Sequence, residues 1–248
     1  MSTDAGVLLL DADPDLGAAL SAEEFAVARR HLRARVRVLE PGAWEPEPAD
    51  SARDLGLLVL DGVLARDVSV RDRCCAELVG AGDVLRPWDQ ADATFASVRH
   101  DFRWDVLREA RVAVLDARVA AVLAGWPCVV SGLLARSLRR VRAMGLQYAL
   151  TQVHGVDVRL HLVLWHLADR WGRMTPDGVV LALPLTHDLL GRMIGARRPS
   201  VTSALQRLDR DAVVQRGDDG TWLLRGTPEE IDLQHEPARR RPQLSAVA

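Results

Sequence analysis

Six arginines fall between residues 192 and 216 of this 248-residue chain, at 192, 197, 198, 207, 210 and 216. Only Asp209 and Asp211 oppose them in that window, so it carries four positive charges in excess. The whole chain has a formal net charge of −2. A locally cationic segment in a weakly acidic chain is suited to local phosphate contact, not to a general affinity for polyanions. Interleaved with the arginines are Pro199, Ser200, Thr202, Ser203 and Gln206. Hydroxyl and amide groups beside guanidiniums are the side chains that meet base edges and phosphate oxygens.

The elements that must position these groups are legible around them. In THDLLGRMIGARRPSVTSALQRL, residues 186–208, Thr186 is a good N-cap. Leu185 and Leu190 sit at the two positions of a hydrophobic staple, and Asp188 suits the positive end of a helix dipole. Leu189, Leu190, Met193 and Ile194 have helical apolar spacing. Gly191 leaves room for close packing, and Gly195 can take the left-handed conformation that ends a helix. A second helix is expected from Pro199, a residue suited to the first helical position. Val201, Ala204, Leu205 and Leu208 form its inward face. Arg198, Thr202, Ser203 and Gln206 lie opposite, free to meet bases or phosphates. Such a pair is a helix-turn-helix that places its second helix in a DNA major groove. Two apolar runs, Val213–Gln215 and Thr221–Leu224, flank a Gly/Asp-rich turn and read as a hairpin. A strand-like run, Val179–Leu183, and a helix face at Leu160, Val163, Leu164 and Leu167 precede the unit. Together they predict a winged helix that binds double-stranded DNA. Its candidate contacts are Thr186, Arg197, Arg198, Pro199, Ser200, Thr202, Ser203, Gln206, Arg207 and Arg216.

Upstream, helix is expected over Glu23–Leu32 and strand over Arg35–Leu39. Short apolar runs at Gly56–Asp61, Val68–Val70, Ala76–Val79, Val84–Leu85, Thr94–Val98 and Val112–Leu115 then predict a β-barrel of jelly-roll type. Gly80-Ala81-Gly82-Asp83 is a turn. After a break at Gly125-Trp126-Pro127, a long helix is expected from Val129 to about Gln152. Leu134, Leu138, Val141, Gly145 and Tyr148 are spaced four and three apart along it, a seam that predicts a homodimer. The expected fold is α+β in five parts: a helical segment (1–34), the β-barrel (35–126), the dimerisation helix (127–154), the winged helix (155–227) and a flexible tail (228–248). Val7–Asp13 and Leu57–Asp61 mimic strands of a phosphoacceptor receiver domain. All 32 basic residues are arginine, so the lysine such a receiver needs is missing.

Nothing in the chain forms a catalytic constellation, and no enzyme is expected. His154, His161 and His166 lack the spacing of helical zinc ligands and read as solvated or partly packed. Cys74, Cys75 and Cys128 lack zinc or iron–sulfur spacing and read as reduced, buried structural thiols. No cofactor or metal is assigned. The acidic start and the absence of a long apolar run predict a cytoplasmic protein with no membrane association.

The order of barrel, long helix and winged helix resembles the Crp/Fnr family of transcription regulators. The resemblance is strongest over 156–226, where Val158-Arg159-Leu160, His166-Leu167-Ala168, Leu185-Thr186, Gly191 and GARRPSVTSAL match its DNA-binding domain. It implies that Arg198, Pro199, Thr202 and Ser203 face the groove, with Arg198 at a base-contacting position. Pro199 and Ser203 replace an acidic and a basic contact residue, which implies a different operator. GLLVLDGVLARDVSV and GAGDVLRPW are similar to the family's cyclic-nucleotide-binding fold. Arg86-Pro87 stands where its cyclic-AMP binders carry Gly-Glu, and Met144-Gly145 where they carry a base-contacting Thr-Ser pair. Their phosphate-binding arginine run is missing. The resemblance therefore implies a homodimeric regulator on a near-palindromic operator that does not respond to cyclic AMP, with RNA polymerase a candidate partner. The competing expectation is a scaffold dimer without sequence-specific DNA binding.

Overall fold

The computed structural model describes residues 6–91 and 97–228. The chain divides into two compact units, Met1–Tyr148 and Ala149–Ala248. The first begins with β1 (Gly6–Leu8), α1 (Leu9–Ala12), α2 (Ala22–His31), β2 (Arg33–Leu39) and β3 (Gly42–Trp44). There follow β4 (Gly56–Val70), β5 (Arg73–Gly80), β6 (Val84–Leu85), β7 (Asp101–Leu115), α3 (Ala117–Leu123) and α4 (Pro127–Thr151). Its sheet is antiparallel in the order β1-β2-β7-β4-β5, with β3 on β7 and β6 on β4.

The two runs expected at 56–61 and 68–70 are one continuous strand. Gly62 is the reason: its φ is +94°, and a Cβ there would lie 2.4 Å from Ala110. The β4–β7 register shifts around this residue. A bulge of this kind bends a strand without ending it, so β4 pairs β6 with its first half and β5 with its second. No ladder joins the outer strands β1 and β5 among the described residues. The sheet is accordingly jelly-roll-like, not a closed barrel. The strand expected at Thr94–Val98 lies partly outside the described residues, and Ser97–Val98 form a bend.

Period-two alternation sends β4 and β7 side chains into two cores. Leu58, Ala113 and Leu115 join Leu9, Leu10, Leu32, Val119, Val129 and Leu133 on the helical side. Leu57, Val59, Val112 and Val114 face the other way, with Leu39, Leu85 and Trp104. Residues 6–8 are not helical but form an edge strand on β2. Leu9 and Leu10 then anchor that end of the chain, each at most 2% exposed. The cysteines differ from expectation: Cys75 is exposed, and Cys74 and Cys128 are half-buried. Neighbouring positions on a strand point to opposite faces, so Cys74 and Cys75 cannot both enter one core.

The second unit holds α5 (Val156–Trp171), β8 (Gly172–Thr175), β9 (Gly178–Leu181), α6 (His187–Ile194), α7 (Arg198–Arg210), β10 (Val214–Arg216) and β11 (Trp222–Leu224). Its sheet runs β10-β11-β9-β8, all antiparallel. Strand β8 was not expected, because Gly172-Arg173-Met174-Thr175 has no apolar alternation and is mostly exposed. His161 is fully buried, not solvated, with its ring against Trp165 and Nε2 3.4 Å from the Thr227 carbonyl.

Candidate nucleic-acid interface

The helix pair forms as local chemistry dictates. Thr186 caps α6, its hydroxyl oxygen accepting from the Leu189 N–H at 3.1 Å. Gly195 ends the helix in the left-handed conformation, at φ +66°. Gly191 is required by close approach: a Cβ there would lie 2.7 Å from the Ala196 carbonyl oxygen. The Ala196 N–H donates to the Gly191 carbonyl at 2.9 Å. Helix α7 begins at Arg198, one residue before the expected start, with Pro199 in its first turn. Val201, Ala204, Leu205 and Leu208 are buried on its inner side.

Arg159 on α5 is a component that sequence reasoning missed. Its Nη1 donates to the carbonyls of Ile194 (3.0 Å) and Thr151 (3.2 Å). Carbonyls in the last turn of a helix lack intrahelical donors, so this guanidinium satisfies the end of α6 where the turn begins. An arginine four residues into a helix carries no sequence signal for that role.

The predicted contact residues fall into two groups. Arg197, Arg198, Pro199, Ser200, Ser203 and Gln206 are exposed on α7 and its N-cap. No carboxylate lies within salt-bridge range of Arg197 or Arg198 among the described residues. Arg216 is exposed on β10, with its guanidinium 5.3 Å from the Trp222 ring centroid. The remaining residues are not free. The Thr202 hydroxyl donates to the Arg198 carbonyl at 3.1 Å and lies 2.9 Å from His187 Nδ1. These contacts tie α7 to α6 through the hydroxyl. Arg207 Nε donates to Asp157 Oδ2 on α5 at 3.2 Å. The expectation that Thr202 points freely outward is therefore corrected, and Arg207 is held by its own unit. Position explains both. Thr202 sits beside the crossing with α6, and Arg207 lies further along the helix, beside α5.

Charge is concentrated where the free arginines lie. The His187 imidazole is held below its ordinary pKa by burial first, then by Arg216 and Arg198. Repulsion among like charges is tolerable where solvent, or a phosphate, supplies the countercharge.

Helix α4 offers a different surface. Leu134, Leu138, Val141 and Tyr148 are 59%, 47%, 63% and 70% exposed. Gly145 continues the same line, and nothing lies within 4 Å of a Cβ built there. On the inner side, Arg136 clamps Asp13 with two bonds (2.5 and 2.6 Å) and donates to the Gly82 carbonyl at 3.2 Å. Arg140 Nη2 donates to Glu77 at 2.6 Å, a carboxylate shared with Arg66. Gln147 donates to the Ala76 carbonyl at 2.6 Å. The arginine after the glycine turn, Arg86, pairs with Asp89 and donates to the Asp54 carbonyl at 2.6 Å. These inner partners were also missed, because no local pattern links residues 13, 77 and 136–147. No single helix among the described residues is long and apolar enough to cross a membrane.

Residues 158–225 match the family model of the Crp-like helix-turn-helix domain. No curated protein matches the chain by sequence. Among solved structures, a mutant of CooA from Carboxydothermus hydrogenoformans is similar over 94% of this chain and 97% of its own, at 18% identity and a TM-score of 0.61. A cyclic nucleotide-binding domain containing protein from Listeria monocytogenes is similar over 85% and 96%, at 17% and 0.61. A transcriptional regulator of the CRP family from Thermus thermophilus is similar over 76% and 92%, at 21% and 0.54. Residues 158–225 are a Crp-like helix-turn-helix domain, and the chain shares its fold with these solved structures.

Proposed function

We propose that this protein is a homodimeric transcription regulator that reads a near-palindromic DNA operator through the exposed start of α7. The supporting observation is the exposed cluster of Arg197, Arg198, Pro199, Ser203 and Gln206 in a helix pair whose turn packs so closely on α6 that Gly191 admits no side chain. Arg198 reads a base edge or holds a phosphate, and Arg197, Ser200 and Arg216 bind backbone phosphates. Thr186, Thr202 and Arg207 act mainly by fixing α6, α7 and α5 against one another. Dimerisation runs along Leu134, Leu138, Val141, Gly145 and Tyr148 and presents two copies of α7 to half-sites one DNA turn apart. RNA polymerase is the natural further partner of such a regulator.

The reading includes independence of cyclic AMP. A cyclic phosphate needs a positioned cation or a nest of N–H donors. The arginines under α4 already have carboxylate partners, and Arg86 is bound to Asp89 and Asp54. Selection of sequences from random duplex DNA by the full chain, with and without cyclic AMP, tests both parts. The expected result is enrichment of a two-fold-related sequence with half-site centres about 34 Å apart, unchanged by the nucleotide. No enrichment in either arm would favour a scaffold dimer, and enrichment only with cyclic AMP would overturn the second part alone.

A further inference from the structure

A cleft of about 270 Å³ opens in the first unit where the sheet edge meets α3, and three arginines line it: Arg33, Arg35 and Arg118. Among the described residues a single carboxylate, Asp116, lines it with them. That carboxylate already caps α3, its Oδ1 accepting from the N–H groups of Arg118 and Val119 at 3.0 Å each. Its other oxygen is 3.6 Å from Arg35 and 3.8 Å from Arg118. Both distances exceed the roughly 2.7–2.9 Å of a charge-assisted hydrogen bond. Asp50, 78% exposed, is 4.0 Å from Arg35 and is no closer a partner. Among the described residues Arg35 Nε is buried without an acceptor.

The cleft exists because of a glycine. Gly6 lies opposite Arg35 in the β1–β2 register, and among the described residues only the Ala34 carbonyl, at 3.8 Å, comes within 4 Å of a Cβ built at Gly6. Val119 and Val122 of α3 add an apolar lining. Excess guanidinium beside apolar wall, in a space at the small end of ligand-site volumes, defines the chemistry of the occupant. We propose that this cleft binds a small amphiphilic organic anion, a carboxylate or phosphate monoester carrying a short apolar group. The anionic head takes the guanidiniums of Arg33, Arg35 and Arg118, and the apolar group lies on Val119 and Val122. This inference is independent of the DNA-binding reading.

Calorimetric titration of the full chain at constant ionic strength tests it, with phenyl phosphate, benzoate and inorganic phosphate as probes. Saturable binding of phenyl phosphate or benzoate is expected, and the tighter of the two identifies the head group. Inorganic phosphate should bind at least about tenfold more weakly, because it leaves the apolar wall uncovered. Arg33→Ser combined with Arg118→Ser, both at exposed positions, should weaken the aromatic anion at least about tenfold. Gly6→Val should do the same by filling the cleft while leaving every charge in place. No saturable binding up to about 10 mM would overturn the proposal. So would equal binding of inorganic phosphate, or variants that bind like the wild type.

Discussion

Arginine is the only strong cation in this protein, and the surroundings of α4 and the start of α7 put it to opposite uses. Around the sheet and α4, guanidiniums are matched to carboxylates: Arg136 to Asp13, Arg66 and Arg140 to Glu77, and Arg103 to Asp67. Several of these pairs are nearly dry, with side chains only 10–16% exposed in the first two groups. At the start of α7, Arg197 and Arg198 are exposed and lack such partners among the described residues. A matched, desolvated arginine holds elements together and has little left for a ligand. An unmatched, hydrated one adds little to folding and keeps its charge for an incoming phosphate. The same residue type is thus structural under α4 and available for recognition at the start of α7, and its neighbours make the difference.

The largest expected effect bears on a surface that is neither. If the bare seam of α4 is covered by a second copy, Leu134→Glu with Val141→Glu removes apolar burial worth roughly 1.5–3 kcal/mol per side chain. Sedimentation should then show dimer dissociation constants raised at least about a hundredfold. An unchanged dimer would place the interface elsewhere. Next is Arg136→Met, which strands the Asp13 carboxylate, only 13% exposed. Breaking a buried pair in this way costs about 3 kcal/mol, readable by urea unfolding of the full chain. Adding Asp13→Asn should recover much of the loss, and no recovery would mean that the pair is not the source. A smaller effect separates the arginines of α7 itself. Arg207→Ala should change operator affinity less than about fivefold, since it removes a partly exposed ion pair worth about 1 kcal/mol at most. A loss as great as that from changing Arg198 would return Arg207 to the contact set.

The smallest effect is a pH dependence. Burial holds the His166 imidazole below its ordinary value of 6.5, and Asp169 only partly opposes the shift. The unfolded chain therefore binds this proton more readily than the folded one. Stability from this group is fully present above about pH 6.5 and declines as pH falls from there through the lower folded value. Thermal melts between about pH 7 and 5 should show a drop that His166→Gln reduces. An identical drop in the variant would assign it to other groups.

What the sequence could reveal follows the range of the forces involved. Thr186, Gly191, Gly195 and Pro199 were legible because caps, turns and close approaches act over a few residues. The inner face of α7 was legible from its period, as was the stripe on α4. The free and engaged arginines were not distinguishable. Arg207 and Arg198 look alike in sequence, and only Asp157, fifty residues upstream, separates them. Thr202 was misjudged in the same way, because His187 is its neighbour in space and not along its helix. The continuity of β4 hid behind polar residues at its bend, and Gly62 reads as a break until its positive φ and its close approach to Ala110 are seen.

The most direct test of the central claim compares wild type and Arg198→Glu on the selected operator duplex across a series of salt concentrations. Loss of a base or phosphate contact at Arg198 predicts affinity weakened by at least about 1–3 kcal/mol, and a salt dependence shallower by about one ion if the contact is a phosphate. Equal affinity and equal salt dependence in a folded Arg198→Glu dimer would contradict the account, because the free arginine at the start of α7 would then have no part in holding DNA.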